Sequence, residues 1–558
     1  MLFNSWEFLA LLIATFALYH LPVPGLRRRT WQVSLLLVAS AMFYAWEEPR
    51  LLLLLFGSCI VNAVAVERIL FWKGRAEEEL QVDGCKLQAA EESRSTQPFD
   101  NNQLATSQLA SCNNSSAKAR AWLFWTVALN LGFLAFFKYA GFLAELLPET
   151  PITETLKHWA TGIPLPVGIS FYTFQGISLL VDVWRNDISS HTAERFSARG
   201  RERAGSIRDT TFYISFFPQL VAGPIVKAHE FVDQIGAKFL RDIDWITVRR
   251  GVITGYFLKI FVADNLAEQT VTLTMQGGQM SNGSPIGLMC QLYGYSLQIF
   301  ADFAGYSLIA IGLGALFGYK LPPNFNFPYL STSITEFWRR WHLSLSSWLR
   351  DYLYFPLGGN RKGAGRTYLN LFLVMFLGGL WHGAAWKFAL WGSLHGLALA
   401  VERLCTRASD SRSRIVDRRS KADDHGVAIR EQTSTIHNPR STIYHLTSVA
   451  RWAITFHLVT LLWLTFMMPD MASIVAFFKG LGNIFEGRTG FSGPPVFSLF
   501  FYGSMVVLYH AWGWLREHRE HLAHQLSRSP LEALVHGLMV FLVVTNPGAP
   551  RGFIYFQF

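Results

Sequence analysis

Long stretches without charge set the first limit on this chain. Phe8–Leu21, Trp31–Trp46 and Leu51–Val66 are almost free of ionisable residues and alternate with short loops dense in Arg and Lys. An apolar run approaching twenty residues matches a hydrocarbon core of about 30 Å at about 1.5 Å per helical residue. Only 16% of the 558 residues are charged, where a soluble domain carries about a quarter. The deficit is concentrated in the apolar runs, and this excludes a soluble globular fold. The sequence predicts an all-α integral membrane protein with roughly ten or more segments that cross or enter the bilayer.

Spans are expected near 5–22, 31–46, 51–71, 121–147, 163–184, 251–272, 286–318, 367–404, 448–468, 496–514 and 531–546. The stretch 286–318 is long for one straight helix, and Asp302 with Gly305 are expected to break it. The stretch 367–404 reads as two helices meeting near Gly378–Gly383. Residues 211–226 are short and interrupted by Pro218, Gly223 and Pro224. Broken elements at membrane depth are tolerated only inside protein or around a wet cavity, so they point to a site.

The net charge of +10 lies in loops between apolar runs, which argues for membrane topology rather than nucleic acid. Arg27–Arg29, Arg68 with Lys73 and Arg75, the arginines of 185–208 and the 403–421 loop read as cytoplasmic, with an extracytoplasmic amino terminus. That terminus lacks a basic region and a small-residue cleavage site, so the first segment is expected to be retained. Two polar segments, 76–118 and 406–446, lack an apolar period and are expected to be flexible cytoplasmic loops within a single membrane domain, 1–558. Cys59, Cys85, Cys112, Cys290 and Cys405 show neither metal spacing nor a disulfide framework. Without an internal repeat, an inverted-repeat transporter loses support.

The region 321–404 carries the chemistry. Glu336, Arg339, Arg340, His342, Arg350 and Asp351 are interleaved with Trp338, Trp341, Trp348 and Tyr354. Aromatic and basic residues together suit either an interfacial helix or a channel lining that meets an anionic ligand. His382 lies between two apolar runs. An ionisable group there is costly and usually functional, and imidazole suits a general base near neutral pH, although a histidine bonded to a carbonyl would fit too. His395 and His457 read as satisfied core or cavity residues. His518, His521 and His524 have the spacing of a helical metal face, but a solvated face explains them more simply, and no metal site is expected. No P-loop or nucleophile-elbow motif is present.

These stretches resemble the membrane-bound O-acyltransferase (MBOAT) family, closest to its bacterial branch typified by the alginate O-acetyltransferase membrane subunit. The matching segments are PVGISFYTFQ (166–175), DVWR (182–185), FFPQLVAGPI (216–225), DFAGYS (302–307), LPPNFNFPYLSTSITEFWRRWHLSLSSWLRDYLYFPLGGNRKG (321–363), GLWHGAAWKFALWG (379–392) and FIYFQF (553–558). The resemblance implies a ring of roughly 11 or more transmembrane and re-entrant helices around a central tunnel, with His382 at its middle and His342 as the second histidine. Relatives commonly read DFSGYSD, so Ala304 and Leu308 replace a serine and an acidic residue here.

What the resemblance implies is acetyl transfer from cytoplasmic acetyl-CoA toward hydroxyls of an exported, alginate-like polysaccharide through a periplasmic partner acetyltransferase. The protein would be multi-pass in a bacterial inner membrane and hold no bound cofactor. His382 would act as base and His342 would orient the site. Arg339, Arg340 and Arg350 would meet CoA phosphates, with Trp341 and Asp302 also at the substrate. The alternatives are transfer of D-alanine or a longer acyl group to teichoic acid, peptidoglycan or lipid, or a polysaccharide-export component without catalysis.

Overall fold

The computed structural model describes all residues except Leu2, Leu26, Glu47, 93–100, 198–202, 269–283, 424–438, 484–492 and 555–558. Every regular element among the described residues is helical. A helix pairs all of its interior backbone groups with itself, which is what a chain of this hydropathy needs in lipid. The principal elements are α1 (Trp6–His20), α2 (Arg28–Ala45), α3 (Leu51–Glu92), α4 (Asn101–Glu145), α5 (Ile169–Arg185), α6 (Trp245–Tyr256), α7 (Pro285–Leu316), α8 (Ile334–Trp338), α9 (Leu343–Leu349), α10 (Gly363–His382), α11 (Trp386–Asp423), α12 (Pro439–Leu462), α13 (Gly493–His518) and α14 (Pro530–Thr545).

Among the described residues, five helices are long and apolar enough to cross a membrane, and a bent pair, Glu520–Leu526 with α14, gives a sixth. Fewer elements meet this test than the roughly eleven expected, for physical reasons. Helix α1 has 15 residues, about 22 Å at helical rise. Helix α6 gives way to a π-helical turn over Phe257–Ala263. The expected break in 286–318 is absent: α7 runs unbroken from Pro285 to Leu316. Asp302 finds its partners sideways, and Gly305 serves contact rather than bending. A Cβ there would lie 2.8 Å from the Gly255 oxygen and the Lys259 nitrogen. The irregularity sits in the neighbouring element instead, in the π turn.

The polar segments also differ from the expected loops. Helical backbone continues to Glu92 in α3 and resumes at Asn101 in α4, and α11 continues to Asp423. Their Ala, Glu, Gln, Lys, Leu and Arg content favours helix without any apolar face. Residues 93–100 and 424–438 lie outside the described residues.

The chain divides into two compact units, Met1–Val252 with Ile309–Pro322, and Ile253–Leu308 with Pro323–Phe558. In the first, Asn62 of α3 and Asn130 of α4 exchange amide bonds of 3.2 and 3.1 Å, the kind of polar link that joins apolar helices. The interrupted 211–226 stretch is present as a helix ending at Ser215, a short turn at Phe217–Leu220 and an irregular run through Gly223 at φ +121°. Beyond it, buried Asp182 accepts from the His229 backbone N–H at 3.0 Å and faces its Nδ1 at 2.9 Å.

In the second unit, α10 and α11 form a hairpin whose backbones meet closely. A Cβ on Gly379 would strike the Phe388 carbonyl, and one on Gly392 the Met375 carbonyl. The break between them falls at Gly383, within the region expected from the sequence.

Candidate active site

His382 is the last residue of α10, where helix geometry stops, and is 5% exposed. Its ring stands edge-on to Trp391 at 5.2 Å and against Phe466 at 5.4 Å. These apolar walls keep water from the imidazole, the setting in which a positioned base is most effective.

His342 precedes α9 with φ 45° and ψ 54°, a left-handed conformation that side chains other than glycine rarely adopt. The loop from Asn324 holds it there. Leu343 N–H donates to the Asn324 carbonyl at 3.0 Å, and Asn326 N–H donates to the Arg340 carbonyl at 2.9 Å. A strained backbone persists only where its surroundings over-determine it, and such residues cluster at functional sites.

The Asn324 side chain sets the state of the imidazole. Its Oδ1 accepts from Ser344 N–H at 3.4 Å and from Ser344 Oγ at 2.9 Å, while Nδ2 donates to Ser307 Oγ at 3.1 Å. A backbone N–H can only donate, so the oxygen faces this side. His342 Nδ1, 3.0 Å from the same oxygen, must therefore carry the proton. Nε2 is left with its lone pair. Complete burial pushes the His342 pKa down to about 3, so the ring is neutral at pH 7 and serves better as an oriented acceptor than as a resting proton store.

The two rings lie 6.5 Å apart between centroids. Ring nitrogens sit only about 1 Å from a centroid, so the two imidazoles stay too far apart to bond each other directly.

Asp302 belongs to a buried charge cluster. Lys259 Nζ lies 2.7 Å from Asp302 and 2.7 Å from Asp264, and it donates to the Arg551 carbonyl at 3.3 Å. All three ionic side chains are at most 7% exposed. Its neighbour Phe303 presses edge-on against His342 at 4.7 Å. Trp341 is 1% exposed within an aromatic core, 4.9 Å from Trp463 and 5.0 Å from Phe325.

The arginines are placed differently from one another. Arg340 makes a bidentate pair with Glu517 at 2.5 and 3.0 Å and bonds Glu336 at 2.9 Å. The Glu517 bond, with Glu336 behind it, raises the Arg340 pKa against the lowering effect of burial. Arg350 pairs with Asp351 at 2.8 Å and keeps 58% of its side chain exposed, and Arg339 is exposed. Arg340 therefore braces α8 against α13, while Arg339 and Arg350 face outward. Among the described residues, no group of three or more His, Cys, Asp or Glu side chains could hold a metal ion, the 518–524 histidines included.

Sequence reasoning missed Asn324, Phe303 and Lys259. Asn324 had a signal, a lone amide in the aromatic run NFNFPY. Lys259 had one too, as a cation in an apolar run.

Residues 185–420, which hold His342, His382 and the hairpin between α10 and α11, match the profile of MBOAT, the membrane-bound O-acyltransferase family. A probable alginate O-acetylase of Pseudomonas putida is 36% identical over 405 residues, covering 72% of this chain and 71% of the relative. The chain belongs to the membrane-bound O-acyltransferase family. The counterpart from Pseudomonas aeruginosa is 36% identical over 406 residues, 72% of this chain, and the chain spans 66% of its length. A peptidoglycan O-acetyltransferase of Helicobacter pylori is 30% identical over 470 residues, 80% of this chain and 73% of that protein. Acyl transfer to oxygen is the activity that the family and these named relatives share, and multi-pass membrane residence fits the apolar helices of both units.

Proposed function

We propose that this protein passes an acetyl group from cytoplasmic acetyl-CoA toward hydroxyls of an exported polysaccharide through a periplasmic partner, with His382 as the general base. The imidazole of His382 takes the hydroxyl proton as that oxygen attacks the thioester carbonyl. The tetrahedral adduct then expels the CoA thiolate, which receives the proton back from His382. Neutral His342, its Nε2 lone pair oriented by Asn324, accepts a hydrogen bond from a neighbouring hydroxyl of the acceptor sugar and so positions the attacking one.

The observation that carries this reading is the buried histidine pair, 6.5 Å apart, with one tautomer set by an amide. Arg339 and Arg350, being outward-facing, are the guanidinium groups available to CoA phosphates. Positive loop charge supports an amino terminus outside and Arg339 and Arg350 on the cytoplasmic side, where acetyl-CoA is found. A periplasmic acetyltransferase partner would receive the acetyl group where the acceptor lies beyond the membrane.

Likeness to the Helicobacter pylori enzyme makes peptidoglycan the second acceptor to test. The experiment supplies radiolabelled acetyl-CoA to membranes bearing the protein, with uronate polysaccharide or peptidoglycan fragments as acceptor. Label on the polysaccharide alone supports the first reading. Label on peptidoglycan alone moves the assignment to the second, and no label on either polymer when the periplasmic acetyltransferase is supplied removes both.

A further inference from the structure

Helix α14 ends at Thr545, before Pro547 and Pro550 forbid further helical bonding, and the chain continues without regular structure in the second unit. Its seating is specific. Gly548 N–H donates to the Ile260 carbonyl at 3.2 Å. A Cβ on Gly548 would lie 2.5 Å from the Asn265 nitrogen, so only glycine fits against this backbone. The Asn546 carbonyl accepts from Asn265 Nδ2 at 3.2 Å, and the Arg551 carbonyl from Lys259 Nζ at 3.3 Å.

The segment then reaches the helix that carries Asp302. Ile554 N–H donates to Asp302 Oδ2 at 2.8 Å in a buried bond. Phe553, fully buried, packs on Tyr306 at 4.6 Å and on Phe303 at 5.6 Å. Phe303 is the ring that stands edge-on to His342 at 4.7 Å. Two consecutive residues of this segment thus hold two consecutive residues of α7, one of which touches the second histidine.

We propose that residues 546–554 form a positioning strap for His342, acting through Phe303 and Asp302. A buried charge cluster fixes where α7 lies, Ile554 ties the strap to that cluster, and Phe553 backs the ring that limits the imidazole. Asn324 fixes the imidazole at Nδ1, and Phe303 blocks tilting about that bond. A shift of about 1 Å at a reacting group can cost roughly 10²-fold in rate. The strap rests on the reading that His342 belongs to the catalytic pair, and the test separates the two.

Turnover per folded molecule, counted by detergent size-exclusion chromatography, is compared for Phe553→Leu, Ile554→Pro, Phe303→Leu, Phe553→Leu with Phe303→Leu, and His342→Ala. Ile554→Pro removes the N–H that binds Asp302, together with the buried isoleucine side chain, and fixes φ at that position. The expected result is a kcat loss of roughly tenfold or more for each strap variant, with the KM for acetyl-CoA changed less than about twofold. The Phe553/Phe303 double variant should lose little more than Phe303→Leu alone, because the two act in series. Full turnover in both strap variants while His342→Ala is inactive would overturn the strap and leave the catalytic pair standing. Additive losses, or an Ile554→Pro protein that yields no folded species, would make the segment a general folding element and likewise overturn the strap. Full turnover in His342→Ala would instead remove the pair on which the strap rests.

Discussion

Replacing Asn324 by leucine tests how the site holds its second histidine. The side chain is 1% exposed and its oxygen serves His342 Nδ1–H and Ser344 Oγ–H, both buried. Leucine occupies similar space but accepts nothing. Each stranded buried donor costs roughly 1–3 kcal/mol, and the apolar burial gained returns about 1 kcal/mol. The net destabilisation should be about 1–5 kcal/mol. The larger effect falls on catalysis, because imidazole loses the bond that fixes its tautomer. A loss of roughly 10²-fold or more in kcat is expected, since a misassigned tautomer at a catalytic histidine is severe. Asn324→Asp is the companion variant. It keeps the acceptor, and its carboxylate favours protonated His342, so the rate profile should move to higher pH with partial activity. The assay is acetyl transfer by detergent-purified protein, with thermal midpoint measured on the same samples. Asn324→Leu activity within threefold of the parent, with an unchanged midpoint, would refute the reasoning.

Other expectations follow from the same geometry. Arg350→Ala should raise the KM for acetyl-CoA with little change in stability, whereas Arg340→Ala should lower the thermal midpoint because it strands Glu517 and leaves Glu336 held by Thr332 alone; unchanged KM in Arg350→Ala removes it from donor binding. Gly392→Ala should sharply reduce folded protein, since its Cβ meets the Met375 carbonyl, and normal yield of a monodisperse variant would contradict the tight crossing of α10 and α11. The bond to Asp182 raises the pKa of His229 above 6.5, with burial opposing. The stabilisation it contributes is therefore full below the unfolded pKa and fades as pH rises through the folded value. Hydrogen exchange in 221–231 should accelerate above neutral pH, and His229→Gln should flatten that dependence.

Much of the site could be read from the sequence because its signals are local. An imidazole between apolar runs and glycines on both sides of it mark the break between α10 and α11. The second histidine, His342, comes from the family resemblance that the WRRWH stretch carries. What could not be read depends on partners far along the chain. Asp302 looks like a helix breaker until Lys259, forty-three positions earlier, and Ile554 N–H satisfy it. Arg340 looks like a phosphate ligand until Glu517 appears beside it. The polar segments look irregular because periodicity reports an apolar face, and a sequence without one leaves no such mark.

The central claim is that His382 takes the acceptor proton. The measurement that tests it most directly is acetyl transfer from labelled acetyl-CoA by His382→Ala protein in membranes, normalised to folded, inserted protein. The account predicts a fall of roughly 10²–10⁴-fold in kcat, with acetyl-CoA binding retained. Transfer at near-parental rate by correctly inserted His382→Ala protein would contradict it.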